Sequence, residues 1–182
     1  VGVATARGLA QSLGIELVGI SSLQALAAPA LTAPSPSGSA AMPPAGVVAV
    51  IDARRGQVFA AAYVPSTVGS GPPRELTPPR PYEPTRLADA LAIDLRRSSA
   101  GEVSWPERWL AVGDGAVRFR AELAGVGAIP PEDSRAHRLS AAAICELGLD
   151  ASPAEGVLPE YGRRPDAELA LETAAAGGGH AS

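Results

Sequence analysis

The chain has 182 residues, a formal net charge of −4, and 37 alanines, 20 glycines and 18 prolines. So little bulky apolar material suits one domain, or one and a fraction, and excludes a large multidomain enzyme. All 15 basic residues are arginine, and the acidic balance argues against gripping nucleic acid with the whole surface while leaving room for a local arginine patch. A lone cysteine excludes a disulfide framework and a multi-cysteine zinc site, which points to a reducing, cytoplasmic compartment. No apolar run reaches the roughly 18 to 20 residues that would span a bilayer, so no membrane is expected as a partner.

In chain order, residues 1–13 carry Val3, Ala6, Ala10 and Leu13 at helical spacing, which predicts a helix with that inward face, stopped at Gly14. Residues 15–20 read as a short buried strand. Ser21 or Ser22 then caps a second helix over 22–28, which Pro29 ends. Residues 31–46, rich in proline, serine and alanine, read as a mobile linker. Residues 47–51 form a continuous apolar run, 52–56 a turn and 57–64 a second strand, an antiparallel hairpin whose first strand is central in a sheet. Seven prolines in 65–84 read as an edge loop. Thr85 then caps a helix to Arg97, and 109–112 is a strand feeding Gly113-Asp114-Gly115 and a helix over 116–123. A last helix is expected over 138–147, with Cys145 on its buried side as an inert thiol. Residues 170–182 read as a disordered tail. The order of elements is mixed α/β.

Catalytic chemistry is hard to place on this chain. His137 and His180 have no second histidine one helical turn away, there is no Gly-x-Ser-x-Gly elbow, and the carboxylates do not pair. No metal or cofactor is called for. Two turns have the shape of anion-holding loops. Asp52-Ala53-Arg54-Arg55-Gly56 has arginines where a phosphate cradle needs glycines, and Asp114 in Gly113-Asp114-Gly115 would repel phosphate. Arg54 and Arg55 suit either an anion, such as an RNA backbone, or a solvated hairpin tip. In the first helix, Ala4 and Gly8 lie four apart, and Gln11 and Ser12 continue that side. Small residues at this spacing let another helix pack close, from within the chain or from a partner.

Four segments, in order, resemble one family. VGVATARGLAQSLGIELVGISSLQALAA (1–28), VVAVIDARRGQVFAAAYV (47–64), LAVGDGAVRFRAEL (110–123) and PEYGRRPDAE (159–168) are similar to stretches of TsaB proteins, also called YeaZ. In the last, Gly162 stands where leucine is usual. The resemblance implies an actin/Hsp70/sugar-kinase type α/β fold of two tandem ribonuclease-H-like halves. Residues 1–30 would end an incomplete first half, N-terminally truncated because the family's first strand and its Gly-Pro-Gly-Ser-Phe-Thr-Gly loop should precede Val1. Residues 47–169 would form the second half. It implies a non-catalytic subunit that pairs with the catalytic paralogue TsaD in threonylcarbamoylation of tRNA adenosine 37. TsaE, a small ATPase, would join them, the complex would meet the tRNA, and a homodimer is a further option. The first helix, with Ala4, Gly8, Gln11 and Ser12, would join TsaD, and the nucleotide loops would be degenerate. A glycoprotease-like peptidase or an ATPase of the same fold are the alternatives, and direct tRNA contact through Arg54, Arg55, Arg163 and Arg164 is a further possibility.

Overall fold

A computed structural model describes residues 2–33, 43–66, 71–97, 108–152 and 157–158. The expected linker, the tail, Arg163, Arg164 and His180 lie wholly or mostly outside these residues. The sheet is built on a hairpin of β1 (Gly46–Arg54) and β2 (Gln57–Val64), paired from Val47↔Tyr63 to Arg54↔Gln57. Strand β5 (Trp109–Val112) lies parallel to β1 on its other side, so β1 is central as its apolar run predicts. The proline-rich stretch supplies two short edge strands on β2, β3 (Arg74–Glu75) and β4 (Arg80–Tyr82). Thr77 is buried between them, where its hydroxyl accepts from the Ala62 N–H at 2.9 Å.

Because side chains alternate along a strand, β1 serves two cores at once. Val48 and Val50, with Val58, Ala60 and Trp109, meet Leu87, Leu91 and Leu95 of α3 (Leu87–Arg97). Val47 and Ala49, with Ala61, Tyr63, Leu110 and Val112, meet Leu23, Leu26, Ala27, Ala30 and Leu31 of α2 (Ser22–Thr32). The result is a helix–sheet–helix sandwich. Gly46 is required where it sits, since a Cβ there would come within 2.5 Å of the Trp109 ring.

Several local expectations give way to this packing. Helix α2 runs through Pro29 to Thr32, because Ala30 and Leu31 are buried under the sheet. An interior proline costs about 3 kcal/mol, and burying a leucine with its neighbours returns a comparable amount. Ser21 takes the N-cap position of α2 without a side-chain capping bond. Helix α1 (Gly2–Leu13) stops at Gly14, whose φ of 63° lets the Ile15 N–H reach the Ala10 carbonyl at 3.1 Å. Its expected inward face is incomplete: Ala10 is buried, Val3 and Ala6 are half-buried, and Leu13 is 66% exposed. Residues 15–20 are not a strand, since no neighbouring strand among the described residues pairs with them, and Ile15 is exposed.

Around the third helix, a 3-10 turn at Pro84–Arg86 with Glu83 as N-cap precedes α3, so Thr85 is not the cap. Helix α4 is only Asp114–Arg118, with turns continuing to residue 126. A 3-10 turn at Arg135–His137, capped by the Ser134 hydroxyl, comes before α5 (Ala141–Leu149), capped by Ser140. Helix α5 turns Ala143 and Leu147 inward and leaves Cys145 exposed, which corrects its expected burial. No helix among the described residues is long and apolar enough to cross a membrane.

Candidate functional site

Parallel pairing of β1 and β5 brings the ends of both strands together, and with them the two turns singled out in the sequence. Asp52 leaves β1 beside Gly113-Asp114-Gly115, and the Asp114 Oδ1 accepts from the Asp52 N–H at 3.1 Å. The Asp52 side chain is only 7% exposed. Its Oδ2 receives the Arg118 guanidinium at 2.7 Å and its Oδ1 the Arg54 N–H at 2.9 Å. Arg118 also lies over the Phe119 ring, 5.4 Å from its centroid. Because Arg118 is 54% exposed, its ion pair is screened and contributes on the order of 1 kcal/mol or less.

The hairpin tip is tighter than the five-residue turn the sequence suggests. Strand β1 continues to Arg54 through a bulge at Asp52/Arg54, leaving Arg55 and Gly56 as a two-residue connection. Arg54, Arg55 and Gly56 have φ of 64°, 52° and 76°. The left-handed conformation at Arg55 and Gly56 matches the twist of a hairpin, but each arginine there costs roughly 1 kcal/mol relative to glycine. The Arg54 side chain is 84% exposed. Beside the tip lies an open depression of ≈ 520 Å³ bounded by Arg55, Glu83, Phe119 and Glu122, a mixture of both charges.

The turn after β5 is as closely fitted. Gly113 has φ of 110°, and a Cβ on it would collide with the Val50 carbonyl oxygen. Its N–H donates to His137 Nδ1 at 3.2 Å, and its carbonyl accepts from the Val117 N–H at 3.3 Å. His137, weighed in the sequence only as a metal ligand, is instead a buried member of this junction. Nothing local in the sequence marks it, because its partners Gly113 and Pro130 are brought to it by the fold. Among the described residues no group of three or more histidine, cysteine or acidic side chains is placed to hold a metal ion.

The other candidates lie on α1. Ala4, Gly8, Gln11 and Ser12 are all exposed, nothing lies within 4 Å of a Cβ built on Gly8, and the Ser12 hydroxyl donates to the Leu9 carbonyl. The opposite side of α1, at Val3 and Ala6, borders a groove of ≈ 910 Å³ shared with Leu17, Ile20, Ile51 and Phe59.

Residues 1–69 match the family described as TsaD: tRNA N6-adenosine threonylcarbamoyltransferase. No curated protein matches the chain. A Pseudomonas aeruginosa protein described as uncharacterized, with similarity to peptidase YEAZ, shares the fold at a TM-score of 0.59 and 21% identity, over 89% of this chain and 66% of that one. YeaZ from Pseudomonas aeruginosa does so at 0.53 and 21%, over 81% of this chain and 57% of its own. The chain thus spans less than two thirds of the length of either neighbour. The fold is the mixed α/β, actin/sugar-kinase-like fold of these proteins.

Proposed function

We propose that this chain is a TsaB-type, non-catalytic subunit that binds and supports the catalytic paralogue TsaD in making N6-threonylcarbamoyladenosine in tRNA, with no cofactor of its own. The observation that carries this reading is the β1–β5 junction. Asp114 holds the Asp52 backbone and Arg118 neutralises the Asp52 carboxylate, so two turns that would receive phosphates instead bind one another. Likeness to YeaZ in fold, and to the TsaD family over residues 1–69, supports a role in this pathway. On this reading residues 1–30 close a first ribonuclease-H-like half and 47–169 form the second. TsaE joins the pair, and tRNA is met through the complex in the cytoplasm.

The partner surface in this proposal is the exposed side of α1, with Ala4, Gly8, Gln11 and Ser12. Small side chains there let a second helix approach closely. Gly8→Leu fills that approach without touching the core, so it should weaken TsaD binding about tenfold or more, on the order of 1.4 kcal/mol, while thermal stability does not fall. Co-purification with TsaD and a reconstituted tRNA modification assay read this out. Normal tRNA modification in a strain lacking the gene would sink the proposal. A peptidase is the second reading, favoured by the likeness in fold to a protein described as similar to a peptidase. Cleavage of unstructured peptides by the purified chain, lost on substitution of His137, would favour it instead.

A further inference from the structure

We propose that His137 is a proton-sensitive pin for the β1–β5 junction. The residue is only 8% exposed, and its ring has three backbone atoms in hydrogen-bonding range. Nε2 lies 3.2 Å from the Pro130 carbonyl oxygen, while Nδ1 lies 3.2 Å from the Gly113 nitrogen and 3.1 Å from the Gly113 oxygen. A carbonyl oxygen can only accept, so Nε2 carries a hydrogen. In the neutral ring Nδ1 is then a lone pair and accepts from the Gly113 N–H.

A second proton reverses that last bond. Nδ1 becomes a donor, its partner becomes the Gly113 oxygen, and the Gly113 N–H is left facing a cation with no acceptor. The Gly113 oxygen also accepts from the Val117 N–H, so the new bond shares its acceptor with the first turn of α4. Gly113 has little room to yield, since the space beside it is filled by the Val50 carbonyl, which a Cβ there would strike. The next residue is Asp114, whose carboxylate holds the Asp52 N–H, so a change at the ring reaches the base of the hairpin through two named bonds.

The charged surroundings are few. Helix α2, which packs on the 3-10 turn carrying His137, has no ionisable side chain. Helix α4 contributes Asp114 and Arg118, both engaged at Asp52. The turn after α4 contributes Arg120, which donates to the same Pro130 oxygen at 2.7 Å and so brings a positive charge to the Nε2 side. The turn of His137 itself carries Arg135 and is flanked by Asp133 and Arg138.

Nitrogen-15 NMR of the full chain from about pH 8 down to about pH 5 tests this. The exchange protection of the Gly113 amide, corrected for intrinsic exchange, should fall about tenfold or more in step with the His137 ring signal, and the Asp52 amide shift should move with it. His137→Gln keeps a donor and an acceptor but cannot titrate, and should abolish the pH dependence. A Gly113 amide that stays protected while the ring titrates, or a ring that does not titrate in a folded chain, overturns the proposal. So does an unchanged pH dependence in His137→Gln. If that variant does not fold, the wild-type titration alone decides.

Discussion

The β1–β5 junction and helix α1 are built on opposite terms. At the junction Asp52, Asp114, Arg118 and His137 are tied to one another or to Gly113 by hydrogen bonds, and Gly113 and Gly115 sit where a side chain would collide. Gly113 abuts the Val50 carbonyl, and a Cβ on Gly115 would lie 2.9 Å from the Ile51 carbonyl carbon. On α1 a Cβ at Gly8 meets nothing, Leu9 and Leu13 are more than half exposed, and only Ala10 is buried. Small residues therefore mean two different things in one chain. In the junction they record close packing already made, and on α1 they mark a surface that packs against nothing within the described residues.

The sharpest way to break this contrast is to make the same substitution in both places. Gly113→Ala forces a side chain into backbone and onto a left-handed φ, and should destabilise the chain by about 3 to 5 kcal/mol or prevent folding. Gly8→Ala replaces glycine in an open helix position and should stabilise it by about 0.5 to 1 kcal/mol. Urea unfolding of the two variants gives the sign directly, and a loss of more than about 1 kcal/mol for Gly8→Ala would mean that α1 is packed after all. A leucine pair repeats the comparison with a slightly smaller effect. Leu91→Ala opens the core between α3 and the sheet and should cost about 2 to 5 kcal/mol, whereas Leu13→Ala should change stability by no more than about 0.5 kcal/mol. Equal losses in the two would show that the exposed end of α1 is covered in solution.

How far the sequence led depends on whether the deciding contact is local. Strand β1 is legible because burial on both faces leaves an uninterrupted apolar run, and Gly14 because a left-handed helix stop favours glycine. The meeting of Asp52 with Asp114 is not legible, since it depends on the register of two parallel strands far apart in the chain, as in the pairing of Ala49 with Val112. Cys145 shows that which face of a helix turns inward decides the burial of a residue. Once Ala143 and Leu147 face the core, a residue two positions from either lies about 200° around the helix and must face out. Pro29 fails as a helix stop because Ala30 and Leu31 lie under the sheet, a tertiary gain no local rule contains. The apolar run at 15–20 fails as a strand for the same reason in reverse, because composition cannot supply the neighbour a strand needs. For the candidate residues, the sequence located both turns of the junction but gave no sign of Arg118 or His137, which join it only through the fold.

The smallest effect tests the outer edge of the well-packed region, where β4 meets α3. Burial pushes the Tyr82 phenol above its ordinary value of 10.0, and the neighbouring Asp94 charge adds to the rise, partly offset by Arg80. The Tyr82 hydroxyl donates to Asp94 Oδ2 at 3.4 Å, a bond that only the neutral phenol can make. Since the folded chain holds this proton more tightly than the unfolded chain, the contribution to stability is fully present below the unfolded value. It is lost as pH rises through the higher folded value. Phenolate absorbance should show Tyr82 ionising later in the folded chain than in denaturant, with Tyr82→Phe identifying its share of the signal. Asp94→Asn removes the repelling charge and should let Tyr82 ionise earlier, though burial keeps it above the ordinary value. A Tyr82 that titrates identically in folded and unfolded chains would place β4 outside the packed region and move the boundary between the two regimes inward to β2.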